Sequence, residues 1–142
     1  MSEYAGKFPS HLDDVIALPG IGRSTASAIL ALSDDQHLAI LDGNVKRVLT
    51  RFFAVDGWPS IKSVEQQLWQ HAEALTPKNR TAQYTQAIMD IGATICKRSQ
   101  PRCGECPLKK DCIALSQDSI ANYPASKPKK KIPVRSTVML LL

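Results

Sequence analysis

The sequence predicts an all-α fold, and three observations carry that expectation. Between residues 10 and 114, apolar side chains recur at intervals of three and four, which lines them along one face of a helix. Prolines and glycines punctuate these stripes, most densely at Pro19, Gly20 and Gly22. The last long stripe runs straight into Cys96, the first of four cysteines that are the only ones in the chain.

In chain order, Ser10 and Asp13 form a capping-box-like start, followed at helical spacing by Leu12, Val15 and Ile16. A second helix runs through Ala26, Ile29 and Leu30, with Ala28 and Ala31 small enough for close approach. The third carries Val45, Val48, Leu49 and Phe52. A fourth starts at Ser63, with Gln66 in the capping-box position, and shows Val64, Leu68, Ala72 and Leu75. The fifth, with Tyr84, Ile88, Ile91 and Ile95, delivers Cys96 at its end. Such stripes form core and carry no chemistry.

Residues 115–135 read as a basic linker, because Tyr123–Pro133 holds three prolines and four lysines and cannot continue a helix. Residues 136–142 turn apolar and β-favouring, as the start of a strand in a second domain. The chain thus divides into helices at 1–95, a cysteine loop at 96–114, the linker and the strand. No apolar run approaches the roughly 18 residues that span a membrane. Met1–Ser10 has no apolar core and no cleavage signal, so reduced thiols and a cytoplasmic location are expected. The balance of 18 Lys+Arg against 13 Asp+Glu, net +5, suggests a polyanionic partner.

Cys96, Cys103, Cys106 and Cys112 are spaced C-x6-C-x2-C-x5-C. Two disulfides suit small secreted domains, which this chain does not resemble. A structural zinc is a real alternative, although zinc frameworks usually pair two short knuckles and only Cys103/Cys106 makes one here. Iron–sulfur clusters are also held by four thiolates, and unlinked buried thiols complete the options. Lys97, Arg98, Arg102, Lys109 and Lys110 surround the loop, suited equally to balancing an anionic cluster or facing phosphate. His11, His37 and His71 have no liganding neighbours at helical spacing and read as ordinary residues.

Leu18-Pro19-Gly20-Ile21-Gly22 lies between the first two helices. Its glycines allow a tight turn that exposes backbone N–H groups at a helix N-terminus, where the dipole favours an anion. It is either a plain helix corner, with Ile21 plugging the gap, or a hairpin that grips DNA phosphate without reading sequence. Asp42 stands where the third helix starts, a favoured N-cap. A carboxylate so placed could also stabilise a developing cation.

With these pieces assembled, the chain resembles the helix-hairpin-helix DNA glycosylases, and within them the adenine DNA glycosylases of MutY type. The matching segments are Leu18 to Ala26, Ile40 to Val48, Gln86 to Ala93 and the cysteine loop. The resemblance implies a [4Fe–4S] cluster on Cys96, Cys103, Cys106 and Cys112, and Asp42 as the catalytic aspartate. It implies DNA backbone binding around Leu18, Pro19, Gly20, Ile21, Gly22, Arg23, Ser24, Thr25 and Lys46, with a cation on carbonyls such as Leu18 and Ile21. The partner would be duplex DNA with an A:8-oxoguanine or A:G mispair, bound by a monomer at the nucleoid. Ser24 occupies the position of the lysine that lets the related endonuclease III enzymes cut the strand, so strand cleavage is not expected. Adenine glycosylases protonate the base with a glutamate from an N-terminal segment, and none of Glu3, Glu65, Glu73 or Glu105 sits in a matching context. A non-catalytic DNA-binding module and an endonuclease III-like lyase are the rival readings.

Overall fold

A computed structural model describes residues 6–128. Its helices are α1 (Leu12–Ile16), α2 (Arg23–Asp34), α3 (Gly43–Phe52), α4 (Lys62–Leu75), α5 (Thr81–Asp90) and α6 (Ile113–Ser116). No strand occurs among the described residues. The strand expected at 136–142, the linker beyond 128 and the first five residues lie outside them. No described helix is long and apolar enough to cross a membrane.

The apolar stripes form two cores. In the larger, Val45, Val48 and Leu49 of α3 pack against Ile40, Leu41, Val55, Leu68 of α4 and Ile88 of α5. Each Leu or Val buried this fully contributes about 1.5–3 kcal/mol. In the smaller, Val15 of α1 meets Ala26 and Leu30 of α2, and Ile21 from the turn packs against them as the plug its position suggests.

The caps differ from the sequence reading. His11, not Ser10, is the N-cap of α1, and Ile61 is that of α4, so Ser63 falls inside the helix and neither capping box forms. Leu75, assigned to the α4 stripe, is exposed on the last turn. Both α1 and α4 begin without a side-chain cap, and it is two other helix ends that are satisfied from across the molecule. Asp35 Oδ1 accepts the Ala82 N–H at 2.7 Å, satisfying the first turn of α5, and His37 Nε2 donates to the Thr76 carbonyl at the end of α4 (3.0 Å). His71 stacks on Phe53 with 4.0 Å between ring centres.

The fifth helix also ends differently. It is α-helical only to Asp90, and Ile91–Ile95 form a π turn closed by Cys96 N–H to the Ile91 carbonyl at 2.7 Å. Close packing on α3 accompanies this wider turn. A Cβ added at Gly92 would lie 2.7 Å from Asn44 Cβ, so the helices cross in contact there.

Candidate functional site

The hairpin is built from backbone. Gly20 adopts φ +81, a region that other residues enter with strain, and Ile21 N–H closes the turn on the Leu18 carbonyl at 3.2 Å. Gly22 is the N-cap of α2 and brings no side-chain cap, which leaves the first-turn amides of Arg23, Ser24 and Thr25 facing outward from the helix end. The side chains nearby are otherwise engaged. Arg23 pairs with Glu73 (2.8 Å) with its guanidinium 3.9 Å from the centre of the Trp69 ring. Ser24 Oγ accepts the Leu41 N–H at 2.9 Å, tying the hairpin helix to the segment that presents Asp42.

Asp42 forms the expected N-cap, its Oδ1 accepting the Val45 N–H at 2.7 Å. Half-buried, it lines an open cleft with Asn44, Arg47, Trp58, Tyr123 and Lys127. Lys46 also borders this cleft, but its ammonium is paired with Glu65 on α4.

The four cysteines line one cavity beneath α3, walled by apolar groups including Val48, Phe52 and Leu115. Among the described residues no three Cys, His, Asp or Glu side chains converge closely enough to hold a single metal ion. The four thiols nonetheless face one shared cavity, a donor set that suits either a multinuclear cluster or a single ion. Burial pushes the Cys103 thiol above its ordinary 9.0, the other three cysteines add to the rise, and Arg51 opposes it. Burial likewise raises Cys112, against a backbone hydrogen bond from Leu115 that lowers it.

Two arginines that the periodicity left unmarked hold this cavity together. Arg47 donates from Nε to the Cys96 carbonyl (2.7 Å) and from Nη2 to Asn44 Oδ1 (2.8 Å) and the Gly92 carbonyl (2.7 Å). Arg51, one turn on, is buried and donates to the carbonyls of Lys97 (2.7 Å), Arg98 (3.2 Å) and Tyr123 (2.9 Å). Their four-residue spacing beside the α3 stripe was the available signal. Of the loop cations, Arg102 bonds Glu105 and the Thr94 carbonyl, and Lys109 closes on the Gly104 carbonyl, whereas Lys97, Arg98 and Lys110 are exposed. The stretch read as linker from 115 begins inside α6 and continues through a 3-10 turn at Ile120–Asn122. Tyr123 is then anchored by Arg51 and by its own hydroxyl, which donates to Asp56 at 3.2 Å.

No family model matches the sequence. An adenine DNA glycosylase of Buchnera aphidicola subsp. Schizaphis graminum (strain Sg) is 48% identical over 130 residues, covering 92% of this chain and 38% of the relative. The structure of a thermostable thymine-DNA glycosylase superposes with a TM-score of 0.71 at 29% identity, over 81% of this chain and 52% of that one. A non-covalent endonuclease III–DNA complex gives a TM-score of 0.65 at 26% identity, over 82% of this chain and 52% of that one. The fold is that of the helix-hairpin-helix DNA glycosylases. Within that class the chain belongs to the adenine DNA glycosylases of MutY type. It spans about two-fifths of the length of the curated relatives first matched.

Proposed function

We propose that this chain carries the DNA-gripping hairpin, the cation-stabilising carboxylate and the cluster loop of a base-excision repair enzyme. Its substrate is adenine mispaired with 8-oxoguanine or guanine, and it works in the cytoplasm at the nucleoid. The observation that carries the reading is Asp42, a half-buried carboxylate in an open cleft, locked by its bond to Val45 N–H. Duplex is held through backbone amides from Gly20 to Thr25, with a cation on the Leu18 and Ile21 carbonyls, so binding ignores sequence and weakens with salt. Adenine is extruded from the stack. As the N-glycosidic bond breaks, positive charge grows on the sugar, and the Asp42 carboxylate stabilises it. Water completes the hydrolysis and leaves an abasic site. Ser24 offers no amine for a Schiff base, which argues against strand cutting.

The group best matched to the cysteine cavity is a [4Fe–4S] cluster on Cys96, Cys103, Cys106 and Cys112. When bound it shapes the loop and supplies no step of this hydrolysis.

Adenine must also be protonated to leave. The three described glutamates, Glu65, Glu73 and Glu105, are each ion-paired, with Lys46, Arg23 and Arg102. The 142-residue chain assayed alone should therefore release adenine poorly, since a general acid is worth roughly 10²–10⁴ in rate. The test is Asp42→Asn in a protein extended to the length of its relatives. Single-turnover adenine release should be abolished with duplex affinity largely intact. Full activity in that variant would reduce Asp42 to a helix cap.

A further inference from the structure

Arg51 poses an electrostatic problem that its hydrogen bonds do not solve. The residue is 3% exposed and lines the four-cysteine cavity. A guanidinium taken out of water costs several kcal/mol unless an opposite charge accompanies it. Its oxygen partners are all neutral: the carbonyls of Cys96, Lys97, Arg98 and Tyr123. Among the described residues no carboxylate lies within ion-pairing distance, the ion pairs there belonging to Arg23, Lys46 and Arg102. Arg47, one turn earlier on the same helix, adds positive charge. The group in contact that can carry a negative charge is the Cys96 sulfur, 3.4 Å from Nη1.

We propose that Arg51 is the internal counter-ion of the anionic, thiolate-held group in this cavity, and that its bond to the Tyr123 carbonyl makes docking of residues 123–127 depend on that group. The inference rests on the reading that the cysteines hold such a group, iron–sulfur or zinc. Four thiolates leave either centre net negative, which satisfies Arg51. Without it the cavity loses that group's charge, the guanidinium is left buried and unmatched, and it is driven toward water. Leaving its seat, it releases Tyr123 together with Lys97 and Arg98. The other described ties on the segment are weak: the Tyr123 hydroxyl on Asp56 at 3.2 Å, and Lys127 5.5 Å from the centre of the Trp58 ring. Tyr123 and Lys127 wall the cleft that holds Asp42, so occupancy of the cysteine cavity is transmitted to the edge of the reaction site.

The test is amide hydrogen exchange on the full chain, metal-loaded and after stripping with a chelator, with iron, zinc and sulfide measured on both samples. Stripping should speed exchange across 119–128 at least tenfold while α2 keeps its protection. Thermal denaturation of Arg51→Met adds a sign that simple packing would not give. The loaded variant should melt below loaded wild type, and this deficit should vanish or reverse in the stripped proteins, where the variant has no charge to bury. Loaded protein whose 119–128 exchange ignores stripping would overturn the proposal alone. So would loss of protection throughout, α2 included, because that is unfolding rather than release. Protein that carries no thiolate-bound metal at all overturns the occupant and this proposal with it. If Arg51→Met does not fold, the wild-type exchange comparison still decides.

Discussion

The hairpin and the cysteine loop are held by opposite means. In the hairpin the groups proposed to bind are backbone amides, fixed by a glycine turn over a small apolar core of Val15, Ala26 and Leu30. In the loop the groups proposed to bind are side-chain thiols, and Cys96 to Cys112 contains no fully buried residue. What substitutes for a core there is hydrogen bonding from Arg47 and Arg51 to main-chain carbonyls. A site made of backbone can sit on its own core, whereas one made of thiols relies on neighbouring helices and on what it binds.

The largest effect that would sharpen this contrast is expected in the loop. Cys103→Ser removes one corner of the four-thiol cavity, and with little apolar packing to compensate, bound metal and soluble yield should fall together. Anaerobically purified wild type should carry about four irons and four sulfides per chain, and the variant next to none. A variant that keeps its full iron would break the comparison, as would wild type carrying one zinc and no iron.

A smaller and separable effect is expected at the hairpin. Gly20 has φ +81, yet no atom lies within 4 Å of where its Cβ would be. Gly20→Asp therefore costs only backbone strain, on the order of 1 kcal/mol, while placing a carboxylate where a phosphate should sit. Duplex affinity should drop by about tenfold or more, with iron content unchanged. Gly20→Asn, equally able to adopt the left-handed region but uncharged, should lose much less. Equal losses in the two variants would mean that the turn's shape matters and the phosphate does not.

The same contrast explains what could be read from the sequence. Helix order, the Ile21 plug and the Asp42 cap were legible because each depends on residues within a turn or two of one another. Ser10 and Ser63 misled because neither side chain caps a helix, whereas two other helix ends are satisfied by partners far apart in sequence, Asp35 with Ala82 and His37 with Thr76. The π turn before Cys96 had no local sign beyond Gly92, whose role depends on Asn44 in another helix. Arg51 was hidden for a related reason. An arginine beside an apolar stripe ordinarily reads as solvent-facing, and its burial becomes evident only once residues 96–98 and 123 are placed around it. Read alone, the proline- and lysine-rich stretch suggested a free tether, whereas Tyr123 is fastened at both its carbonyl and its hydroxyl.

The smallest predicted effect tests that fastening from its solvent side. Desolvation holds the Tyr123 phenol above its ordinary 10.0, and the Asp56 carboxylate adds to the rise by accepting its proton in a hydrogen bond and by repelling the phenolate. Because the folded value lies above the unfolded one, the stabilisation is complete below pH 10 and is lost as pH rises through the folded value. Docking of Tyr123 should therefore loosen in that alkaline range. Asp56→Asn removes the charge and keeps an oxygen acceptor, so the Tyr123 pKa should fall toward 10 while Tyr84, raised by burial alone, stays where it is. Titration of ring-labelled tyrosines by NMR reads both phenols in one sample. The variant should leave metal content and hairpin binding untouched, because Arg51 still holds the Tyr123 carbonyl from inside. If Asp56→Asn released the segment as completely as stripping the metal, the solvent-side tie would be the dominant one and Arg51 merely adjacent to it. A Tyr123 that titrates unchanged in the variant would show instead that hydroxyl and carboxylate do not meet in solution.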